Sequence, residues 1–445
     1  MCSSTWAPRT RRSAPIARRF TSTTPRCTAG PIRPNASISR PPPLPESADS
    51  SRSRPPVVVA GAGIGGLTAA LRLARAGHRV AVLERAGVIE EVGAGLQIAP
   101  NAGRILQGLG LGEALGAAAL LPEAINIHRA RDGAVLSRLE LAGAGERWGA
   151  PFRLFHRADL QQLLLAAARQ NDAITIRTGA RVGDFEEGDG AVFLRVYGGQ
   201  SMEDLEALAL IGADGVRSSV RSFLNRGAKD APAYSGHTAW RAILPAESVP
   251  ATLRRRETHL WLSAGAHVVH YPLRDASIIS AVVIVEDGLS RAWDRGPETL
   301  GGADLLREAG LAAGDADLRA LIAAGDSWRR WPLYGRPALA HWSRGAVTLL
   351  GDAAHPMLPF LAQGAAMAIE DAEALGRAFT PGVAPAEAFK VYEHARIARA
   401  TKVQRASRRQ GDHYHASGLH ASARDLAISA LGGQRMLARN GWLYR

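Results

Sequence analysis

Two glycine turns separated by most of the chain constrain this sequence more than any other feature. The first follows a short β-branched run, Val57-Val58-Val59-Ala60, and reads Gly61-Ala62-Gly63-Ile64-Gly65-Gly66. A helical pattern with Leu67, Leu71 and Leu73 comes next and stops at Gly77. A second apolar run, Val80-Ala81-Val82-Leu83, then ends in Glu84. This is a strand–helix–strand unit with Gly61, Gly63 and Gly66 at the positions of GxGxxG. Those glycines permit a tight turn, close approach of a pyrophosphate and close helix–strand packing, while Glu84 is placed to bond a ribose hydroxyl. A lone GxGxxG carries little; the flanking strand, helix, strand and acid make the signal strong.

The second turn lies in residues 349–371, LLGDAAHPMLPFLAQGAAMAIED. The apolar run Ala346–Leu350 reads as a buried strand ending at Gly351-Asp352, and Gln363-Gly364 opens a helix-forming segment through Ala378. An acid at a strand end can accept hydrogen bonds from a polyol, and N–H groups at a helix start can face developing negative charge. One nucleotide contacted from both ends of the chain implies a long cofactor lying across the fold.

A third element falls between them. The strand-like run Leu208–Gly212 is followed by Ala213-Asp214-Gly215-Val216-Arg217-Ser218-Ser219-Val220-Arg221. The order GxGxxG, DGxxSxxR, GDAAHxxxP resembles that of the single-component FAD-dependent aromatic hydroxylases, the group A flavoprotein monooxygenases, and within them the salicylate hydroxylase-like branch. The resemblance runs from about Pro56 to the C-terminus and includes EVGAGLQIAPNA (91–102), HRADL (156–160) and HTAWRA (237–242).

The resemblance implies noncovalent FAD, NADH or NADPH as co-substrate, O2, and a flavin peroxide that hydroxylates a small aromatic acid, a salicylate or hydroxybenzoate-like compound. It also implies an α/β fold: a Rossmann-like FAD-binding domain interleaved with a smaller antiparallel-sheet substrate domain, and a helical C-terminus. We expect 55–120, 155–232 and 343–380 to form the first, 121–154 and 233–342 the second, and 381–445 the helical segment. Only one GxGxxG unit is present, so a nicotinamide coenzyme would bind transiently against the FAD domain.

The expected cofactor residues are Gly61, Gly63, Gly66, Glu84 and Arg85 for the ADP half, with Arg157 and Asp214 contacting FAD. Asp352 is expected on the ribityl chain, and Gln363 and Gly364 at the flavin pyrimidine. Arg85 reads equally well as a surface arginine, and Asp214 as the N-cap of a helix over Val216–Phe223. Pro359 matches the family proline beside the flavin ring. Where many relatives have Gly-Gln-Gly, this chain has Ala362-Gln363-Gly364, and a Cβ at 362 would narrow that turn.

For the substrate, Gly236–Arg241 alternates like a strand, which puts His237, Ala239 and Arg241 on one face. His237 could take a phenolic proton and Arg241 could pair with a carboxylate. The bland alternative is a buried strand histidine with a structural arginine. His355 is expected to pack and hydrogen-bond in the cofactor domain rather than serve as the base.

Composition bounds the rest. Hydrophobic residues make up 46% of the chain and charged residues 21%, ordinary for a globular protein. The net charge of +13 is concentrated in residues 1–54, which hold ten arginines against Glu46 and Asp49. What remains suits anionic ligands rather than nucleic acid. That segment, rich in Ser, Thr, Pro and Arg, is expected to be disordered; it reads as an organellar transit peptide, a flexible tail or a translated leader. No stretch is long enough for a membrane span. A cytoplasmic, bacterial-like location is expected, with organellar import as the alternative, and the chain is expected to be a monomer or homodimer. Both cysteines, Cys2 and Cys27, lie in the same segment, so neither a disulfide framework nor a cysteine nucleophile is expected, and no metal site.

Other readings are a flavin oxygenase of a non-phenolic heterocycle or antibiotic, and a non-catalytic flavin-binding homologue. Intact motifs at both cofactor ends argue against the last. The absence of a WxWxIP motif argues against the halogenase relatives, and a simple dehydrogenase would not need the 349–371 element.

Overall fold

A computed structural model describes residues 55–89, 95–188, 190–199, 201–225, 230–288 and 298–445. The N-terminal segment 1–54 and the start of the 91–102 phrase lie outside the described residues.

Three apolar runs form the centre of one sheet. Its strand order is Ser343–Arg344, Val347–Leu349, Ala209–Gly212, Val57–Ala60, Val80–Leu83, Ile174–Arg177, and all neighbours are parallel except the first pair. Val59 sits between Ile211 and Val82, and Ile211 pairs with Thr348 on its other side. Continuous apolar strands of this kind suit a sheet covered on both faces, and Val57, Val58 and Val59 are fully buried. Each such side chain contributes roughly 1.5–3 kcal/mol over an exposed one.

The helix Ile64–Arg75 packs against both Arg157–Arg169 and Gly364–Ala378. Gly61, Asp214 and Asp352 follow the C-terminal ends of three adjacent parallel strands. In open α/β sheets that edge is where ligands bind.

The second sheet has eight strands, in the order Thr299–Leu300, Trp328–Gly335, Ala233–Pro245, Ile278–Glu286, Ala266–Leu273, Glu257–Ser263, Ala124–Arg129, Val135–Glu140. All pairs are antiparallel except Glu257–Ser263 with Ala124–Arg129. Alternation gives it two functional faces. One carries Trp240, Val268 and Val283 into a core with Leu305, Leu318 and Ile322. The other presents Leu260, Leu262, Val269, Tyr271 and Ile284 to a large cavity. A small meander, Ala180–Gly188, Ala191–Gly198 and Ser201–Ala207, forms a third sheet.

The helix over Val216–Phe223 is shorter than the sequence suggests, running Ser219–Leu224 with Ser218 as its cap. The C-terminal region is helical over Pro385–Tyr414, Gly418–Leu431 and Gly433–Arg439. Its basic pattern reads as a solvated face, and that reading is only half right. Arg396 is buried, donating to Asp371 and Glu370 at 2.7 Å each, and Arg399 donates to Glu370 at 2.6 Å. Arg405, Arg408 and Arg409 are exposed. Among the described residues, no helix is long and apolar enough to cross a membrane.

Candidate active site

A cavity of about 1290 Å³ runs from the first glycine turn to the second sheet. Gly63, Gly65, Arg157, Gly215, Arg241, Asp352, Pro359 and Gln363–Ala365 all line it. Seven of the thirteen sequence-selected residues therefore line one space: Gly63, Arg157, Arg241, Asp352, Pro359, Gln363 and Gly364; Asp214 does not, although its neighbours Ala213 and Gly215 do.

The nucleotide end is built by close backbone contact. Gly61 has φ of +109°, and a Cβ there would stand 2.5 Å from the Ala213 carbonyl oxygen. A Cβ at Gly66 would stand 2.0 Å from the Gly61 carbonyl oxygen. Gly63 differs: nothing lies within 4 Å of its would-be Cβ, and the helix it starts has no side-chain cap. Open N–H groups beside open space at a helix start fit a pyrophosphate. Glu84 accepts from Ala62 N–H and Ala86 N–H, both at 2.9 Å, which fixes its carboxylate against the turn. Arg85 does not line the main cavity. It borders a smaller surface pocket with Arg181 and Tyr197.

Asp214 is not the N-cap residue, which is Ser218, but one of its carboxylate oxygens also accepts from the helix start, from Ser219 N–H at 2.7 Å and Val220 N–H at 3.3 Å. Its other oxygen, Oδ1, is buried with no hydrogen-bond partner among the described residues. A buried acceptor in that state costs about 1–3 kcal/mol, so a donor from a ligand fits there.

Asp352 opens a single 3-10 turn, Gly351–Ala353. It is exposed and lines the cavity, and the protein packed around it raises its pKa, opposed by His355 and Arg157. A hydroxyl-rich chain would satisfy such a carboxylate. Pro359 starts another turn, Pro359–Leu361, which ends at Ala362 in the left-handed region with φ of 51° and ψ of 35°. A conformation that favours glycine is thus adopted here by a residue with a Cβ. Gln363 precedes the helix Gly364–Ala378, whose first N–H groups have no side-chain cap.

A buried polar network braces this loop, and sequence reasoning missed it. Asn101 donates to Gln363 at 3.0 Å and to Glu370 at 2.7 Å. Asp371 accepts from Gly351 N–H at 3.0 Å, pairs with His355 at 2.5 Å and takes Arg396 at 2.7 Å. Burial opposes ionisation of Asp371, but His355 and Arg396 outweigh it and hold the carboxyl at about 2. His355 is thus turned into this network. The pattern Glu370-Asp371 followed by Arg396 and Arg399 at helical spacing was a signal that could have revealed it.

At the far end, Arg241 lines the cavity and lies over the Trp331 ring at 5.5 Å. His237 shares its strand face but is not among the lining residues; its ring packs 5.3 Å from Phe360 and 5.4 Å from His415. His267 does line the cavity. Burial pushes its pKa well below the ordinary value, and His415 and His237 push the same way, so it is neutral. Tyr271 is pushed up to about 12 by burial, against hydrogen bonds with Ser280 and Gln97 and the nearby Arg241. Neither His267 nor Tyr271 stood out in sequence, because both sit in an apolar strand pattern. Tyr414, Arg439 and Tyr444 complete the wall from the C-terminal helices.

The cradle at Gly63, the orphaned Asp214 Oδ1, the carboxylate of Asp352 and the open helix start at Gly364 fit the two ends of FAD. Known proteins agree. A model of the FAD binding domain matches residues 54–407. The 3-hydroxybenzoate 6-hydroxylase 1 of Aquipseudomonas alcaligenes is 37% identical over 390 residues, covering 87% of this chain and 97% of that one. The 3-amino-4-hydroxybenzoate 2-monooxygenase PtnB3 of Streptomyces platensis is 40% identical over 372 residues, covering 82% and 90%. Among solved structures, Klebsiella pneumoniae HpxO complexed with FAD and uric acid aligns with a TM-score of 0.77 at 26% identity, covering 89% of this chain and 98% of that one. A salicylate hydroxylase substrate complex aligns at 0.74 and 25%, covering 88% and 96%. The chain therefore belongs to the FAD-binding-domain family and is a single-component FAD-dependent aromatic monooxygenase.

Proposed function

We propose that this enzyme hydroxylates a hydroxybenzoate-like aromatic acid, using NADH or NADPH and O2. The observation that supports it most is the placing of Arg241 beside the apolar face of the second sheet, with Leu260, Leu262, Val269 and Ile284, in the same cavity that reaches Asp352 and Pro359. A flat, anionic, otherwise apolar ligand suits such a space. The two curated relatives named above act on hydroxybenzoates, and both cover most of their length with this chain.

FAD, when bound, supplies reduction by the nicotinamide and oxygen transfer. In this reading, Gly61, Gly63, Gly66 and Glu84 hold the ADP half, with Arg85 at its outer edge. Arg157, Asp214 and Asp352 hold the middle, and Gln363 and Gly364 the pyrimidine side of the ring. Arg241 pairs with the substrate carboxylate and fixes the ring's orientation. His267, the cavity-lining member of the histidine cluster that includes His237, takes the phenolic proton, which makes the ring more nucleophilic. Pro359 would shape the turn at the flavin edge, where its carbonyl accepts from Ala362 N–H at 2.9 Å. The sheet and the C-terminal helices exclude water. Residues 55–120, 155–232 and 343–380 are assigned to cofactor binding, and 121–154 and 233–342 to substrate binding.

The test is a panel of mono- and dihydroxybenzoates, aminohydroxybenzoates and purine-type heterocycles, scored for stimulation of NAD(P)H oxidation by the FAD-loaded protein. Stimulation by a hydroxybenzoate is expected. Stimulation by heterocycles alone would replace this substrate class.

A further inference from the structure

Ionising a phenol against the second sheet needs a path for the proton, and one pair of side chains crosses the cavity wall there. His267 lines the cavity, and its Nδ1 lies 2.7 Å from His415 Nε2. Both rings are buried, at 2% and 6% exposure, with a carboxylate beyond them that is not: the Glu286 side chain is 55% exposed. His415 Nδ1 is 3.7 Å from Glu286 Oε2 and has no hydrogen-bond partner among the described residues. That gap is too long for a hydrogen bond but is closed by a rotation of the exposed carboxylate or by one water.

We infer that His267 and His415 form a proton passage from the substrate cavity to Glu286 at the protein surface. The inference rests on the hydroxybenzoate reading. The substrate O–H bond breaks and its proton goes to His267 Nε2. The Nδ1 proton of His267 passes to His415 Nε2, and the Nδ1 proton of His415 passes to Glu286 and then to solvent. Phenolate and a solvent proton result, with both rings left as Nε2–H tautomers. Passage in the opposite sense, when the product oxygen is reprotonated, resets them.

The surroundings suit this role. Burial, then the nearby His415 and His237, lowers His267; burial, then His237 and Arg424, lowers His415 to about 4. Two neutral imidazoles can each accept and release a proton without trapping it. The charged and titratable groups facing them are His237 from the strand Ala233–Pro245, Glu286 from Ile278–Glu286, Tyr414 from Pro385–Tyr414, whose ring lies 5.1 Å from His267, and Arg424, itself paired with Asp425, from Gly418–Leu431. His237 donates Nδ1–H to the Ser235 carbonyl at 3.1 Å, so it stands beside the passage rather than in it. On this account His415 is a positioning and relay group that never touches substrate.

The test mixes oxidised, FAD-loaded protein with 3-hydroxybenzoate in stopped flow and follows phenolate absorbance and dye-reported proton release, with no nicotinamide present. His415→Gln and His267→Gln should bind the acid within about threefold of wild type yet ionise it at least about tenfold more slowly. Added imidazole buffer should restore the rate in His415→Ala. Glu286→Gln, a surface change, should ionise the acid while proton release lags and becomes buffer-dependent. Wild-type ionisation rates in both histidine variants would overturn the passage. His237, Glu286 and His415 also bring ligand-type atoms within 4.8 Å of one another. Ionisation lost on EDTA treatment and regained with zinc would overturn it in favour of a metal centre. Failure of every hydroxybenzoate to bind would instead remove the substrate reading itself, and the passage with it.

Discussion

The guanidinium of Arg221 donates to the Ala354 carbonyl at 2.9 Å and, through the same nitrogen, to that of Ala353 at 3.1 Å. Arg221 closes the second motif, DGxxSxxR, and the two alanines lie in the third, GDAAHxxxP. Its Nε also donates to Asp230 at 2.7 Å, and Nη2 to the Pro337 carbonyl at 2.9 Å, with the side chain fully buried. One residue thus fixes the spacing of Asp214 and Asp352 at adjacent strand ends. Arg221→Met should cost about 3 kcal/mol, since it leaves buried carbonyls and Asp230 short of a partner. Lysine should not rescue it, lacking the planar fork. Thermal unfolding of both variants checks this.

Asp352→Ala should weaken FAD retention by about 1–3 kcal/mol, roughly five- to 150-fold, because the hydroxyls it accepts from lose a buried partner. Relative turnover across the aromatic-acid panel should hold once FAD is saturating. Equilibrium FAD titration of the apoprotein measures the first, and unchanged affinity would remove Asp352 from the ribityl assignment.

Three stacked imidazoles on the core side of the second sheet make the fold acid-sensitive. His259 stacks on His270 at 4.6 Å and hydrogen-bonds His128 at 3.0 Å. Burial, then His128, lowers His259 to about 4, against the opposing pull of Glu257; burial also lowers His270 and His128. A histidine held neutral in the fold stabilises it fully above its unfolded value near 6.5. That contribution is lost as pH falls from there towards 4, because the unfolded chain takes the proton first. For His259 alone the loss is about 3 kcal/mol. Chemical denaturation at pH 7.5 and 5 should show the drop, and His259→Asn should shrink it.

Arg241→Ala should leave FAD content unchanged, since the residue lies in no nucleotide motif. NAD(P)H oxidation should persist while product per NAD(P)H falls and hydrogen peroxide rises. Misplacing the ring by even a small distance costs several kcal/mol in such a step. Counting product and peroxide together checks it; full coupling with unchanged substrate affinity would move the carboxylate site elsewhere.

The features legible in sequence were those written locally. The run Val57–Ala60 with its glycines, the alternation through His237 and Arg241, and the helix start at Gly364 each depend on neighbours within a few residues. Ala362 stood out in sequence beside Gln363-Gly364, and its backbone is left-handed, with φ of 51°. The rest depended on contacts distant in sequence. Arg396 looked solvated because its partners, Glu370 and Asp371, sit on another helix. His267 and Tyr271 looked like core because the sheet face they line encloses the cavity. Nothing local in residues 410–444 announced the cavity's outer wall, where small and polar side chains at helical spacing resemble an exposed face.

The most direct measurement supplies FAD-loaded protein with NADH or NADPH, 3-hydroxybenzoate and related aromatic acids under 18O2, and analyses the products by mass spectrometry. This account predicts a dihydroxybenzoate or equivalent product carrying one atom of 18O per molecule, formed in proportion to the NAD(P)H consumed. NAD(P)H consumption recovered wholly as hydrogen peroxide, with no labelled aromatic product from any acid, would contradict it.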